Sequence, residues 1–360
     1  MSAFKKGVLV CFGETAGKNI GDYVQSVASA QFSGPDAVNV DRESLDTYSG
    51  DPLKLVMNAW FMHHPERFPP SEAINPLFVS FHVRPTIERD FFTEKTVAYL
   101  KAHEPIGCRS TDAVEMMARH GIRAEFTSCV TLTLGDTFRH VDADTPPVFV
   151  DPFFPHVGKR TGKAAVVVRL VRRLPFILLH LPSVLRLAPR FKVFRAWPWI
   201  GRFPVRCLYV ADFLRAYLPL FDKKVLLAAE YVSHKVSKEQ YPDEKALFGC
   251  AENLLHRYER APFVVTSRLH CALPCVAMGT PVWVVVHPSI TSGRFGGNDA
   301  FLNVLSCGPD GSIQSPSPIV SKDGRIHLDT RPPVRTEHLP FARRMAERIR
   351  AFMKEGEDEP

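Results

Sequence analysis

The sequence predicts an α/β fold: two Rossmann-like domains facing across a cleft, with a basic, largely helical insertion between them. Three observations carry that expectation. Residues 1–155 alternate short apolar runs with amphipathic helical stretches, the pattern of a mainly parallel, doubly wound sheet. The same alternation resumes at Lys224 and continues through residues 224–335. Between the two, 156–223 breaks the pattern with closely spaced prolines and a dense run of basic side chains. Residues 336–360 add a basic helix, placed to cross back to the first domain, and an acidic end that is expected to fray.

In chain order, Gly7–Phe12 reads as the first strand, with no small-residue cleavage site after it to suggest a signal peptide. Ile20 to Gln31 reads as a helix with Tyr23, Val24, Val27 and Ala28 on one face. Ala37–Val40, Lys54–Trp60, Pro76–Val83 and Pro105–Cys108 are short apolar runs of buried-strand type. Thr111 to His120 is a helix that Ser110 is placed to N-cap and Gly121 to close. Cys129–Leu134 and Val148–Val150 complete the first alternation as strands. After the insertion come a strand at Val225–Glu230, a helix at Asp243–Glu259, a strand at Pro262–Thr266, and a short helix from Leu269 to Met278 ended by Gly279. The strands Pro281–Val286 and Phe301–Leu305 and the helix Val334–Met353 finish the chain.

A chain of 360 residues can bury two cores, and 45% apolar with 23% charged residues is globular composition, not that of a disordered tail or a membrane bundle. Eight scattered cysteines form no CxxC pair. Cys271 and Cys275, one helical turn apart, read as small buried side chains in a reducing compartment. His63–His64 lacks a third spaced ligand, so no metal and no cofactor are expected. The net charge of +7 is unevenly placed. Fifteen Lys/Arg lie between Lys159 and Lys224 against only Asp212 and Asp222, which leaves the remainder of the chain at about −6. That basic block reads either as a helical subdomain with a solvated face or as a surface for anionic lipid or an anionic polymer. Its apolar stretches are too short and too charged to span a bilayer. Nucleic acid is disfavoured, because no recognised module frames the basic residues and the remaining chain is acidic.

The strongest local signal is Thr266–Ser267–Arg268–Leu269–His270, a turn at the carboxyl end of one strand and the amino end of a helix. Open α/β sheets bind ligands there, where free N–H groups and the helix dipole attract an anion. Arg268 offers a planar fork for carboxylate or phosphate, and His270 can exchange a proton near neutrality. By position alone, Arg268 could equally form a structural ion pair and His270 a helix cap.

These residues resemble the polysaccharide pyruvyl transferase family, in which a hydrophobic strand runs into a Thr-Ser-Arg-Leu-His turn, a small-residue helix and a Gly-x-Pro-Val strand, as at Thr266–Val282. Further likenesses follow in order: Asn19–Gln25 to an Asn-x-Gly-Asp helix opening, Glu104–Arg109 to a strand ending Cys-Arg, Ser128–Leu134 to the strand after it, and Arg294–Gly297 to an Arg-Phe-x-Gly loop. Ser110 stands where the family often has Asp, and the basic block is unlike a minimal member. The resemblance implies transfer of the enolpyruvyl unit of phosphoenolpyruvate to two hydroxyls of one sugar, giving a cyclic pyruvate ketal and phosphate. It implies His270 and Arg268 as catalytic residues, and a donor site of Arg268, Arg294, Ser267 and Leu269 on the C-terminal domain together with Arg109 from the N-terminal one.

For a saccharide acceptor, free or lipid-linked, the sequence offers Asn19, Asp22, Asp41 with Arg42, Asn58 and His82 on the N-terminal domain, near Trp60 and Phe61. Each also reads as an ordinary cap or turn residue. Two-domain proteins of this plan, called GT-B among glycosyltransferases, leave a nucleotide-sugar glycosyltransferase as the alternative enzyme, separable by which leaving group is released. The non-enzyme alternative is a membrane-surface protein on an inactive transferase fold. The expected location is cytoplasmic, with peripheral contact to an anionic membrane through 159–224.

Overall fold

A computed structural model describes residues 4–12, 19–155, 163–191, 202–237, 239–286, 295–319 and 321–355. The chain opens with β1 (Lys5–Val10), α1 (Gly21–Ala30), β2 (Val38–Asp41) and β3 (Leu53–Met57), then β4 (Trp60–Phe61), β5 (Ile74–Phe78) and β6 (His82–Val83). Strands β2-β1-β3-β5 form a parallel four-stranded sheet in that order. Every side chain of β3 is buried, as a sheet covered on both faces requires. The run expected as one strand over Pro76–Val83 is broken: Ser80 takes a left-handed φ of 59°, and β6 turns away to pair with β4. Lys54–Trp60 divides similarly, with Trp60 passing to β4.

Two helices, α2 (Glu88–Phe91) and α3 (Glu94–Ala102), lead to β7 (Ile106–Cys108), α4 (Thr111–Arg119) and β8 (Ala124–Phe126). The Ser110 hydroxyl caps α4 by accepting from the Ala113 N–H at 3.3 Å, and Gly121 closes it at φ 66°, as the sequence predicts. Val130–Asp136 is a 3-10 helix where a strand was expected, packed with its apolar side chains inward against α1 and the later helices. Next, β9 (Val148–Val150) pairs with strands of the second half, not with the first sheet.

The second sheet has the order β10-β9-β11-β12-β13-β14, parallel except for its last strand. Helices α5 (Lys163–Leu179), α6 (Leu181–Leu187), α7 (Arg202–Tyr217) and α8 (Lys223–Ala228) precede β10 (Glu230–Val232). The strand expected at Val225–Glu230 is therefore mostly helix. Asp222 caps that helix through the Lys224 N–H, and the strand begins at Glu230. Then come α9 (Glu244–Arg260), β11 (Val264–Thr266), α10 (Leu269–Met278), β12 (Val282–Val286), β13 (Asn303–Cys307) and β14 (Ile313–Gln314). Gly279 ends α10 in the left-handed conformation, at φ 79°. Alternation along the strands sends Val148, Val150, Val264 and Val284 to the face under α9 and α10. Phe149, Val265, Trp283 and Val285 go to the face under α7.

The C-terminal helix, Leu339–Lys354, does return to the first half of the chain. Lys54 in β3 donates from Nζ to the carbonyls of Phe352 and Glu355, each at 2.5 Å, and Arg348 pairs with Glu125 at 2.5 Å.

Candidate functional site

The N-termini of α1 and α10 meet. At Gly21 an added Cβ would lie 3.1 Å from His270 Nδ1 and 3.2 Å from Asn19 Oδ1, so only glycine leaves the imidazole its present place. Asn19 accepts from the Gly21 N–H at 3.3 Å and so starts the helix. A chain of hydrogen bonds ties the two termini together. The Ile20 N–H donates to the His234 carbonyl at 2.8 Å, and the His234 N–H to Asp151 Oδ2 at 3.0 Å. Arg268 Nε meets the same carboxylate oxygen at 2.8 Å. The Ser267 hydroxyl donates to the Asp151 carbonyl at 2.7 Å, and Thr266 Oγ1 accepts from the Arg268 N–H at 3.0 Å. Burial works to raise the Asp151 carboxyl. Arg268, His234 and hydrogen bonds from Ser233 and the His234 N–H outweigh it and hold the carboxyl below the usual carboxylate value.

From the separate two-stranded β7–β8 sheet, Arg109 reaches across at the end of β7. Its Nη1 lies 3.4 Å from His270 Nε2. Guanidinium has no acceptor, so in this contact Arg109 donates and Nε2 accepts. The Arg109 backbone is held on both sides: its N–H donates to Phe81 O at 3.0 Å, and its carbonyl accepts from Asn298 Nδ2 at 3.0 Å. Asn298 in turn takes the Ser128 hydroxyl at 2.5 Å, which ties the loop beginning at Phe295 to β7 and β8. Arg109 is 7% exposed, and its Nε has no hydrogen-bond partner among the described residues. Burial lowers its pKa from the ordinary arginine value, against the opposing pull of Cys129 and Asp22.

Asp22, in the first turn of α1, faces Arg42, Arg109, Arg84 and His63. Its Oδ1 is buried without a hydrogen-bond partner among the described residues, and burial raises its pKa despite those cations. Beside it the Trp60 ring lies between two guanidinium groups, Arg42 at 4.2 Å and Arg84 at 3.8 Å from its centroid, with His63 edge-on at 4.6 Å. Among the described residues, three non-glycine residues with positive φ, namely Ser80, Ser128 and Asp151 (φ 59°, 64° and 41°), sit just past the carboxyl ends of β5, β8 and β9. Such backbone strain gathers where a site needs it.

A model of the polysaccharide pyruvyl transferase family matches residues 75–289. The chain belongs to that family. No curated protein matches it significantly. The matched span holds Arg109, Ser128, Asp151 and the 266–270 turn, while Asn19–Gln25 and Arg294–Gly297 lie outside it. The family is one of transferases that place pyruvyl groups on polysaccharide, so a polysaccharide acceptor is consistent with membership.

Within this family member the sequence-predicted residues fare differently. Arg109, His270 and Asn19 come together around Gly21, and Asp22 adjoins them. Arg268 is in an ion pair with Asp151, and its two terminal nitrogens carry no hydrogen bond to another described residue. The Leu269 side chain is 4% exposed in the core, which leaves only its backbone N–H to meet a ligand. No side chain caps α10, so the capping alternative for His270 is not the one observed. Arg294 lies outside the described residues. On the acceptor side, Asp41 accepts from the Glu43 N–H and caps a 3-10 turn, and His82 stands opposite Trp60 in the β4–β6 pair. Asn58 is 1% exposed and donates its amide to the Gln25 carbonyl under α1, away from any rim. Phe61 is stacked on Phe81 inside the core, and so is not a sugar platform. Asp151 and Arg84 were missed. Asp151 directly follows a buried strand, the signal that selects Asp41, and the same rule applied to Val148–Val150 finds it.

Proposed function

We propose that this chain transfers the pyruvyl unit of phosphoenolpyruvate to two hydroxyls of one sugar residue, closing a cyclic ketal and releasing phosphate. The observation that carries the reading is Arg109 Nη1 at 3.4 Å from His270 Nε2, a contact between two motifs separated by 161 residues. In balance, one hydroxyl proton ends on the donor's methylene carbon, making it a methyl group. The other leaves with phosphate as the second C–O bond forms. Protonating the methylene makes an oxocarbenium-like centre at C2 that the first hydroxyl oxygen attacks.

His270 carries that proton between hydroxyl and carbon, with Arg109 holding the ring. General acid–base help of this kind is worth roughly 10²–10⁴-fold. Arg109, the terminal nitrogens of Arg268, the α10 N–H groups at Leu269 and Arg294 hold the donor's carboxylate and phosphate and stabilise charge on the leaving group. Ser267 keeps the turn in place. The acceptor lies toward Asn19, Asp22 and His82, with Asp41 behind them. This gives a GT-B-like division, with the acceptor on 1–155 and the donor mainly on 224–335, Arg109 reaching it from the first segment and β9 lent to the second sheet.

The test is incubation with phosphoenolpyruvate and a panel of galactosides, mannosides and glucosides, reading phosphate and the mass of one ketal. His270→Ala should lower turnover at least ~100-fold with an unchanged thermal melt. Ketal formation near the wild-type rate in that variant refutes the assignment, and nucleotide release from a nucleotide sugar with no phosphate from phosphoenolpyruvate refutes the reaction.

A further inference from the structure

Helix α5 is apolar on both faces: Val166 and Ile177 are buried and Leu170 and Phe176 pack against the core, yet its exposed side is aliphatic too. Its inner face, toward α7, carries Arg169 and Arg173, which both pair with Asp212, a carboxylate 2% exposed. Its outer face carries Val168, Val171, Leu174, Leu178 and Leu179, all exposed, with Val171 at 65% and Leu179 at 77%. Helix α6 extends the same apolar surface with Leu185. A helix at a water-facing surface ordinarily turns its charged residues outward, opposite a single apolar stripe. Charges paired inward under an aliphatic exterior are what a hydrocarbon environment selects. An apolar patch of this kind marks an interaction site.

We propose that the outer face of α5 and α6 docks on an anionic lipid surface. Charge decides between this occupant and a second copy of the chain. The patch lies in the segment with fifteen basic and two acidic residues, and both acids are engaged: Asp212 lies under Arg169 and Arg173, and Asp222 caps α8. The exposed Arg172 and Arg186 stand among the aliphatic groups. Two copies meeting through this face would oppose like charges, whereas anionic headgroups neutralise them. The helix lies along the surface and does not cross it. Seventeen residues span about 25 Å, short of the roughly 30 Å hydrocarbon core, and no described helix is long and apolar enough to cross a membrane. Docked this way, α5–α7 stay on one face of the second sheet, while the site stands at the carboxyl ends of the strands, next to α10.

The experiment is sedimentation of the full chain with vesicles of phosphatidylcholine alone and with added phosphatidylglycerol. Binding should favour the anionic vesicles by at least ~10-fold at low salt and weaken as salt rises. Val171→Glu with Leu178→Glu, both at solvent-facing positions, should lower partition at least ~10-fold. Val171→Ser with Leu178→Ser serves in its place if the first pair alters the thermal melt. Arg172→Glu with Arg186→Glu should remove only the preference for anionic lipid. Equal recovery of wild type with and without vesicles overturns the proposal. So does a dimer in sedimentation velocity that Val171→Glu with Leu178→Glu converts to monomer, which would give the face to a second copy. None of these readouts depends on the transfer reaction.

Discussion

Asp22 stands beneath three guanidinium groups, yet burial still holds its carboxyl pKa above the ordinary 3.8. The folded protein therefore keeps a proton there at pH values where the unfolded chain has lost it. Stability from this group is fully present below 3.8 and falls as pH rises through the folded value. Asp22→Asn removes the titration, so its melting temperature should gain on wild type as pH rises from below 3.8 toward neutrality. Thermal melts across that range check this, and a difference that stays flat with pH removes Asp22 from the account. At Asp151 the sign is opposite: its folded value is depressed, so its contribution is present above 3.8 and is lost on acidification through the folded value. Arg268 was legible in sequence as a cation at a helix start. That its Nε is committed to Asp151 was not, because the partner lies 117 residues away, just past the end of another strand.

At the scale of elements, the α1–α10 junction sets the site. Gly21→Ala places a methyl group 3.1–3.2 Å from His270 and Asn19, so the imidazole must shift by a few tenths of an ångström. Turnover should fall at least ~10-fold, since small misplacement of a reacting group is costly. Folding stability should change by about 1 kcal/mol or less, because alanine suits a helix better than glycine. Steady-state rates beside a thermal melt separate the two, and unchanged turnover would show that His270 does not act from this position. The helix boundaries of α1, α4, α9 and α10 were readable because caps and 3.6-residue periodicity are local properties. Val130–Asp136 and Val225–Ala228 were misread for a physical reason. Short apolar runs fit a strand or a buried helix equally well, and only the packing partners decide.

Across the whole molecule, Lys54 shows how the ends are joined. A lysine inside a fully buried strand breaks the local pattern, and the C-terminal helix resolves it by supplying the Phe352 and Glu355 carbonyls. The same helix buries Met345, Ile349, Phe352 and Met353 in the core that contains Val8 and Val56. Lys54→Ala should therefore cost about 2–3 kcal/mol, and Lys54→Met, which keeps the stem, should cost less. Urea unfolding measures both, and a loss below about 0.5 kcal/mol for Lys54→Ala would show that the helix is held by its apolar face alone. The charge asymmetry also belongs to this scale. The count of basic residues was plain in the sequence, but Arg169 and Arg173 turn inward to Asp212, so the apolar face of α5, and not their charge, is what α5 presents outward.

By itself the sequence determined the α/β class, the capped helices and the turn at Thr266–His270, because periodicity, caps and a helix N-terminus depend on neighbours a few residues apart. Only the tertiary structure decided that β9 joins the second sheet, that Arg109 meets His270 and that Arg268 meets Asp151. Those contacts join residues more than a hundred positions apart, and their geometry is set by how the sheets and the helices between them pack, which no local pattern encodes.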